Sequence, residues 1–282
     1  MNISRSWVGA ALLAIAATAG SVGSPAVAQD KVTIEDPAIL AQVEQAEQLG
    51  RDMYRYDQAA WHATDALAEA IDMSDPGDLR GYLVEPLGNG NLSTVFFGED
   101  EDGFYEFARY EVAGSDVIGG GIVEGAEKTR LSPMLAAMAA ARTAAVEELG
   151  RQDWGFCTRN PANTLILPPD EQGVIAVYFL TSTTEQDVYP FGGHYRIEIA
   201  ADGSVAGARE FTKTCLNMEL RPGPNGEQPV GVAVSHLLDS SPTELHFFQS
   251  RYAPAKVFVM IEDTVWVIED GELVETIEDF GK

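Results

Sequence analysis

KVFVMIEDTVWVIEDGELVETI, residues 256–277, is a series of short runs rich in β-branched and aromatic residues, broken twice, at Glu262-Asp263 and at Asp270-Gly271. Apolar runs of about five residues bounded by turn signals are those of β-strands, and the breaks have the length and residue types of two-residue hairpin turns. The stretch therefore reads as three strands, Lys256–Ile261, Thr264–Ile268 and Leu273–Ile277. Turns this short force antiparallel pairing, because a parallel partner needs a crossover of about a dozen residues.

Working back towards the N-terminus, further strand-like runs appear at Val174–Thr181, His194–Ile199, Val205–Thr212, Val230–Leu237 and Glu244–Gln249. Helical spacing is confined to two segments. Asp36-Pro37 offers an N-cap and a proline at the first helical position, and Ile39, Leu40, Val43, Ala46, Met53, Tyr54, Ala60, Trp61, Leu67, Ala68 and Ile71 then recur as one stripe. Gly50 falls in its middle, where a kink or a break into two helices is expected. Ser132-Pro133 opens a second, alanine-rich helix that stops at Gly150. Between the helices lie Leu83-Val84, Leu92–Phe97 and Phe104–Val112, read as short strands, and the passage Gly119–Gly125, read as a flexible connection. The expected fold is α+β: an antiparallel, meander-like sheet in the C-terminal half, packed against two main helices. The expected layout is a leader over residues 1–28, a helix, short strands and a helix over 29–150, and a β-rich region over 151–282, as one domain or two packed lobes.

The leader is read from its three parts. Arg5 is the one basic residue, an apolar run extends from Trp7 to Ala19, and Ala26-Val27-Ala28 supplies the small residues of a cleavage site. The apolar run is too short for a bilayer, which takes roughly 20 residues. Cleavage between Ala28 and Gln29 is expected, followed by a periplasmic or secreted life without membrane insertion. A formal net charge of −26 argues against nucleic acid and anionic lipid as partners, and leaves a basic protein or a small ligand as the open possibilities. Export also places Cys157 and Cys215, the two cysteines of the chain, where thiols pair.

Chemistry-bearing motifs are sparse. His194, His236, Glu244 and His246 all fall in the C-terminal region. On the strand expected there, Glu244 and His246 share a face, and with His236, and His194 as a fourth ligand, they could surround a divalent metal. Each histidine packing separately on the sheet is the competing reading, and no HExxH spacing is present. Ser240 and Ser241 lie near His236 and Asp239 in sequence, but no G-x-S-x-G surrounds them. Trp154 and Phe156 beside Cys157, and Tyr54, Tyr56 and Trp61 on or beside the helical stripe, read as core aromatics, with a ligand-stacking surface as the competing reading. No cofactor is implied. The leading expectation is an exported, non-enzymatic binding or interaction module. Its rivals are a metal-dependent enzyme using the His/Glu cluster, and an acidic inhibitor or accessory subunit.

Overall fold

Asp36 Oδ1 accepts the Ala38 N–H at 2.8 Å, and Pro37 fills the position behind it, so the first helix starts where the cap signal lies. The computed structural model describes residues 32–281 except 124, 126, 184 and 228; the leader and its Ala28–Gln29 junction lie outside the described residues. The helix, α1, spans Pro37–Ala70 and is continuous through Gly50. A Cβ at Gly50 would sit 2.6 Å from Phe247 Cβ and 2.8 Å from the Glu244 carbonyl. The glycine is there because another backbone crosses against it, and that contact outweighs the roughly 1 kcal/mol of helix propensity it forfeits.

Four strands follow: β1 (Leu79–Pro86), β2 (Leu92–Asp100), β3 (Gly103–Ala113) and β4 (Asp116–Ile122), antiparallel and in chain order. The first part of the expected flexible passage is thus a strand. Gly119, Gly120 and Gly121 pair with Glu111, Tyr110 and Arg109, and with no side chains they show no period to read. Helix α2 (Pro133–Leu149) opens with Ser132 Oγ accepting the Leu135 N–H. Both faces of the sheet are covered. Leu83, Val95 and Phe97 point into one cluster with Leu135 and Met138 of α2, while Val84, Phe96 and Tyr110 join Met53, Ala63 and Leu67 of α1 in another. Thr94 Oγ1 also donates to the Ala59 carbonyl, pinning α1 to β2.

The second sheet has the order β5-β6-β8-β9, from β5 (Asn163–Ile166), β6 (Ile175–Leu180), β8 (Tyr195–Ile199) and β9 (Val205–Glu210). A separate pair joins β7 (Val188–Pro190) to β10 (Asn217–Glu219). Strand β6 is buried on both faces: Val177 and Phe179 meet the α2 cluster, Tyr178 and Leu180 the α1 cluster. Cys157 and Cys215 are joined in a disulfide, with Cα atoms 5.2 Å apart, linking the loop after α2 to the loop after β9. Trp154 stacks on Tyr195 at 4.6 Å and Phe156 meets the same ring edge-on, so these two aromatics are packing residues. Gly193 makes room for the cystine: its φ is 72°, and a Cβ there would lie 2.6 Å from Cys157 Sγ.

The last unit is β11 (Gly231–Ser235), α3 (Glu244–Ser250), β12 (Lys256–Ile261), β13 (Thr264–Glu269) and β14 (Glu272–Ile277). The quoted stretch forms the expected antiparallel meander, with Ile261 opposite Thr264 and Glu269 opposite Glu272 across the two turns. Residues 244–249, expected as a strand, are helical instead. Every residue of α3 is buried, so its sequence shows no polar face by which a helical period could be recognised. This helix is the crossover that lets β11 and β12 pair in parallel. Phe247 of α3 packs with Val43 and Ala46 of α1 and with Val257, Val259 and Trp266 of this sheet. Among the described residues, no helix is long and apolar enough to cross a membrane.

Candidate functional site

The four residues expected around a metal are divided among three environments. His236 Nε2 meets Asp239 Oδ2 at 2.7 Å, and Arg209 holds the same carboxylate through two contacts, at 2.7 and 3.2 Å. His246 lies at the start of α3, where its Nδ1 accepts the Thr243 N–H at 2.9 Å, and its ring meets the His236 ring edge-on at 4.8 Å. Glu244 is two positions earlier on the same helix, which turns it roughly 200° away rather than onto the same face. It accepts from Arg196 Nη1 at 2.6 Å and from the Tyr178 hydroxyl at 3.0 Å. His194 is bonded elsewhere. Its Nδ1 accepts the Thr181 N–H and its Nε2 donates to the Pro190 carbonyl at 2.9 Å. Among the described residues, no group of three or more His, Cys, Asp or Glu is placed to hold a metal ion. The structure brings His236 and His246 together and gives Glu244 and His194 to other partners.

Glu244 instead carries structural load. Its side chain is 7% exposed and that of Arg196 20%, so the pair is desolvated, and removing one member strands the other. Glu244→Ala should lower the unfolding free energy by about 3 kcal/mol, the lower end of the usual range because Arg196 keeps Glu198 at 3.1 Å. Glu244→Gln, which retains the acceptor, should lose clearly less. Urea denaturation of the two variants checks the order, and equal stabilities would show that the ion pair contributes nothing.

Two clefts remain. One, of about 480 Å³, is bounded by Gln42 and Gln45 of α1, by Arg196 and Arg209, and by the loop from Leu238 to Thr243. Both arginines are committed to carboxylates, Ser241 Oγ donates to Gln42, and His236 faces Asp239, so the local Ser/His/Asp run is not wired as a triad.

The other cleft, of about 490 Å³, is built from one face of α1 and the edges of five other segments. Asp57, Ala60, Trp61 and Thr64 recur at i, i+3, i+4 and i+7, which places them in one row on the helix. Tyr82 comes from β1, Asn163 from β5, Leu180–Thr183 from the end of β6, Val188–Pro190 from β7, and Phe248, Gln249 and Tyr252 from α3 and its exit. Five aromatics line it. Trp61, expected in the core, is 54% exposed, stacked on His62 at the mouth. At the other end of the helical row, Gln58 Nε2 donates to the Tyr252 oxygen at 3.0 Å and Tyr252 O–H donates to Asp57 Oδ2 at 2.5 Å. The relay fixes the direction of the hydroxyl, since the amide can only give. Burial pushes the Asp57 carboxyl above its ordinary range, opposed by the Tyr252 hydrogen bond. Burial likewise raises the Tyr82 and Tyr252 phenols.

No protein-family model matches the chain, and neither does a curated protein or a solved structure. The cleft must therefore be read from its own chemistry. Ala60 and Trp61 belong to the apolar stripe legible in the sequence, but Asp57 and Thr64 do not, Tyr82, Tyr189 and Tyr252 come from segments far apart in the chain, and no local signal marks any of these five.

The rim of this cleft is cross-braced by the disulfide region. The Cys157 N–H approaches Thr181 Oγ1 at 3.5 Å, Thr158 Oγ1 donates to the Ser182 carbonyl at 2.7 Å, and Ser182 Oγ donates to the Pro161 carbonyl at 2.6 Å. Thr181 and Ser182 both line the cleft.

Proposed function

We propose that the protein is an exported, non-enzymatic binding module that takes a small ligand into the cleft between α1, β1, the β6–β7 segment and α3. The observation that carries this reading is the cleft itself: five aromatics and a short set of polar groups around about 490 Å³ is the size and make-up of a small-molecule site. Export is supported by the three-part leader in the sequence and by the Cys157–Cys215 disulfide, which belongs to an oxidising compartment. On this reading the protein is periplasmic or secreted, and its strong negative charge keeps it soluble there.

A panel of small compounds spanning cationic, neutral and anionic classes, read by thermal unfolding of the full chain, tests the reading. A ligand at 100 times its dissociation constant adds about 2.7 kcal/mol to stability and raises the midpoint measurably. At least one compound should do so, and Trp61→Ala should weaken its effect while leaving the ligand-free midpoint within a few degrees, because this side chain is largely exposed. A panel without a binder, or binding indifferent to Trp61→Ala, would overturn it.

A further inference from the structure

We infer that the ligand of this cleft is a small organic cation, an ammonium whose apolar substituents lie among Trp61, Tyr82, Tyr189 and Tyr252 and whose charge is matched by Asp57. This rests on the cleft being a binding site and names the class that it takes.

Charge comes first. Among the described lining residues there is one carboxylate, Asp57, and neither lysine nor arginine. A phosphate, sulfate or carboxylate ligand would enter a desolvated space with no cation to receive it and a carboxylate to repel it.

Hydrogen-bond polarity narrows the class further. Most hydroxyl protons of the wall are already spent on the protein: Tyr82 donates to the Thr164 carbonyl at 2.8 Å, Thr64 to Ala60 at 2.7 Å, Thr181 to Gly193 at 2.7 Å and Ser182 to Pro161 at 2.6 Å. Tyr252 donates to Asp57. What these groups still offer is lone pairs, and the aromatic rings offer the negative faces of their π systems. A sugar needs donors and acceptors in balance, yet the Thr183 and Tyr189 hydroxyls and the Asn163 amide are what is left to donate, the Gln249 amide lying 3.3 Å from His194 Nε2. A wall poor in donors and rich in acceptors suits a ligand that brings positive charge, and aromatic residues around a carboxylate are the arrangement that binds alkylated ammonium groups.

The remainder of the molecule favours the same sign. A net charge of −26 raises the concentration of cations near the surface before any contact is made. The Gln58–Tyr252–Asp57 relay holds the carboxylate through Oδ2, leaving Oδ1 as the acceptor for the ligand.

Choline and neohexanol, its uncharged isostere with carbon in place of nitrogen, separate charge from shape. Calorimetric titration of the full chain should show choline binding at least about tenfold more tightly than neohexanol, with Asp57→Asn, which keeps the acceptor for Tyr252, bringing the two close together. Trp61→Ala should weaken choline about three- to fivefold, the loss of one exposed cation–π contact. If neutral or anionic members of the panel bind and ammonium compounds do not, the cation assignment falls and the cleft stays a binding site. If choline keeps its preference in Asp57→Asn, the matching of its charge by Asp57 is wrong. If nothing of any charge binds, the cleft reading itself fails.

Discussion

Replacing Cys215 with serine, together with Cys157→Ala so that no thiol remains, should lower the unfolding free energy by about 4 kcal/mol. The bond closes a loop across 58 positions, and a closure of that length restricts the unfolded chain by about this amount in the chain-entropy account. Against the 5–15 kcal/mol typical of a folded domain, roughly a quarter or more of the stability would go. The loss should also be uneven. Residues 157–161 are held to 181–182 by the hydrogen bonds of the cleft rim, and the cystine packs on Gly193 beside them. Amide exchange should therefore accelerate first in these segments, while β2 and β6, buried on both faces, stay protected. Ligand binding should weaken along with the rim. Urea unfolding with hydrogen exchange reads both effects, and a loss under 1 kcal/mol with uniform exchange would refute them.

Acid should destabilise the protein well before its carboxylates titrate. Burial holds the His194 imidazole down to about 4 and the His246 imidazole down to about 3, both below the usual 6.5. Because the folded values are depressed, the unfolded chain binds protons that the native state refuses. The stability these groups confer is thus complete above about pH 6.5 and is lost as pH falls towards 4, with a slope of up to about 1.4 kcal/mol per pH unit for each histidine. His236, Asp239 and Arg209 surround His246, with Asp239 favouring its charged form and the other two opposing it. Asp57, raised in the folded state, acts in the opposite sense and is relieved in acid, so the measured slope should fall short of two protons. Over the whole range the expected loss is several kcal/mol.

A variant isolates one proton of this effect. Thr243 and His246 stand three apart at the start of α3, His246 filling the place where a capping box has Glu or Gln. His246→Gln keeps an acceptor for the Thr243 N–H and removes the titration. Its stability against pH, from denaturant melts between about pH 7 and pH 4, should be flatter by close to one proton. A native protein whose stability does not change across that range would contradict the depressed histidines, as would a variant with the native slope.

How much of this was legible in the sequence varies with the range of the signal. Asp36-Pro37 and Ser132-Pro133 start helices because capping acts within three residues. Residues 256–277 form their meander because two-residue turns leave the strands no other partner. The cysteines pair because the chain holds only two. Three local readings failed for one shared reason. Gly50 reads as a weak point in a helix, residues 119–121 as a loop and 244–249 as a strand, and in each case the deciding contact lies outside the segment itself: α3 against Gly50, the neighbouring strand β3 beside the glycines, and burial of α3 on every side.

The candidate site shows the same division. On a strand Glu244 and His246 would share a face; the helix separates them and hands Glu244 to Arg196. By itself the sequence determined the helix starts, the C-terminal meander, the acidic charge and the identity of the disulfide, all of which depend on composition or on neighbours a few residues apart. Only the tertiary structure decided that α3 is a buried crossover helix, that the histidines divide, and that Asp57 and Trp61 meet Tyr82, Tyr189 and Tyr252 around one cleft. Those outcomes turn on which surfaces exclude water from one another, and surfaces drawn from residues about 200 positions apart leave no period in the chain.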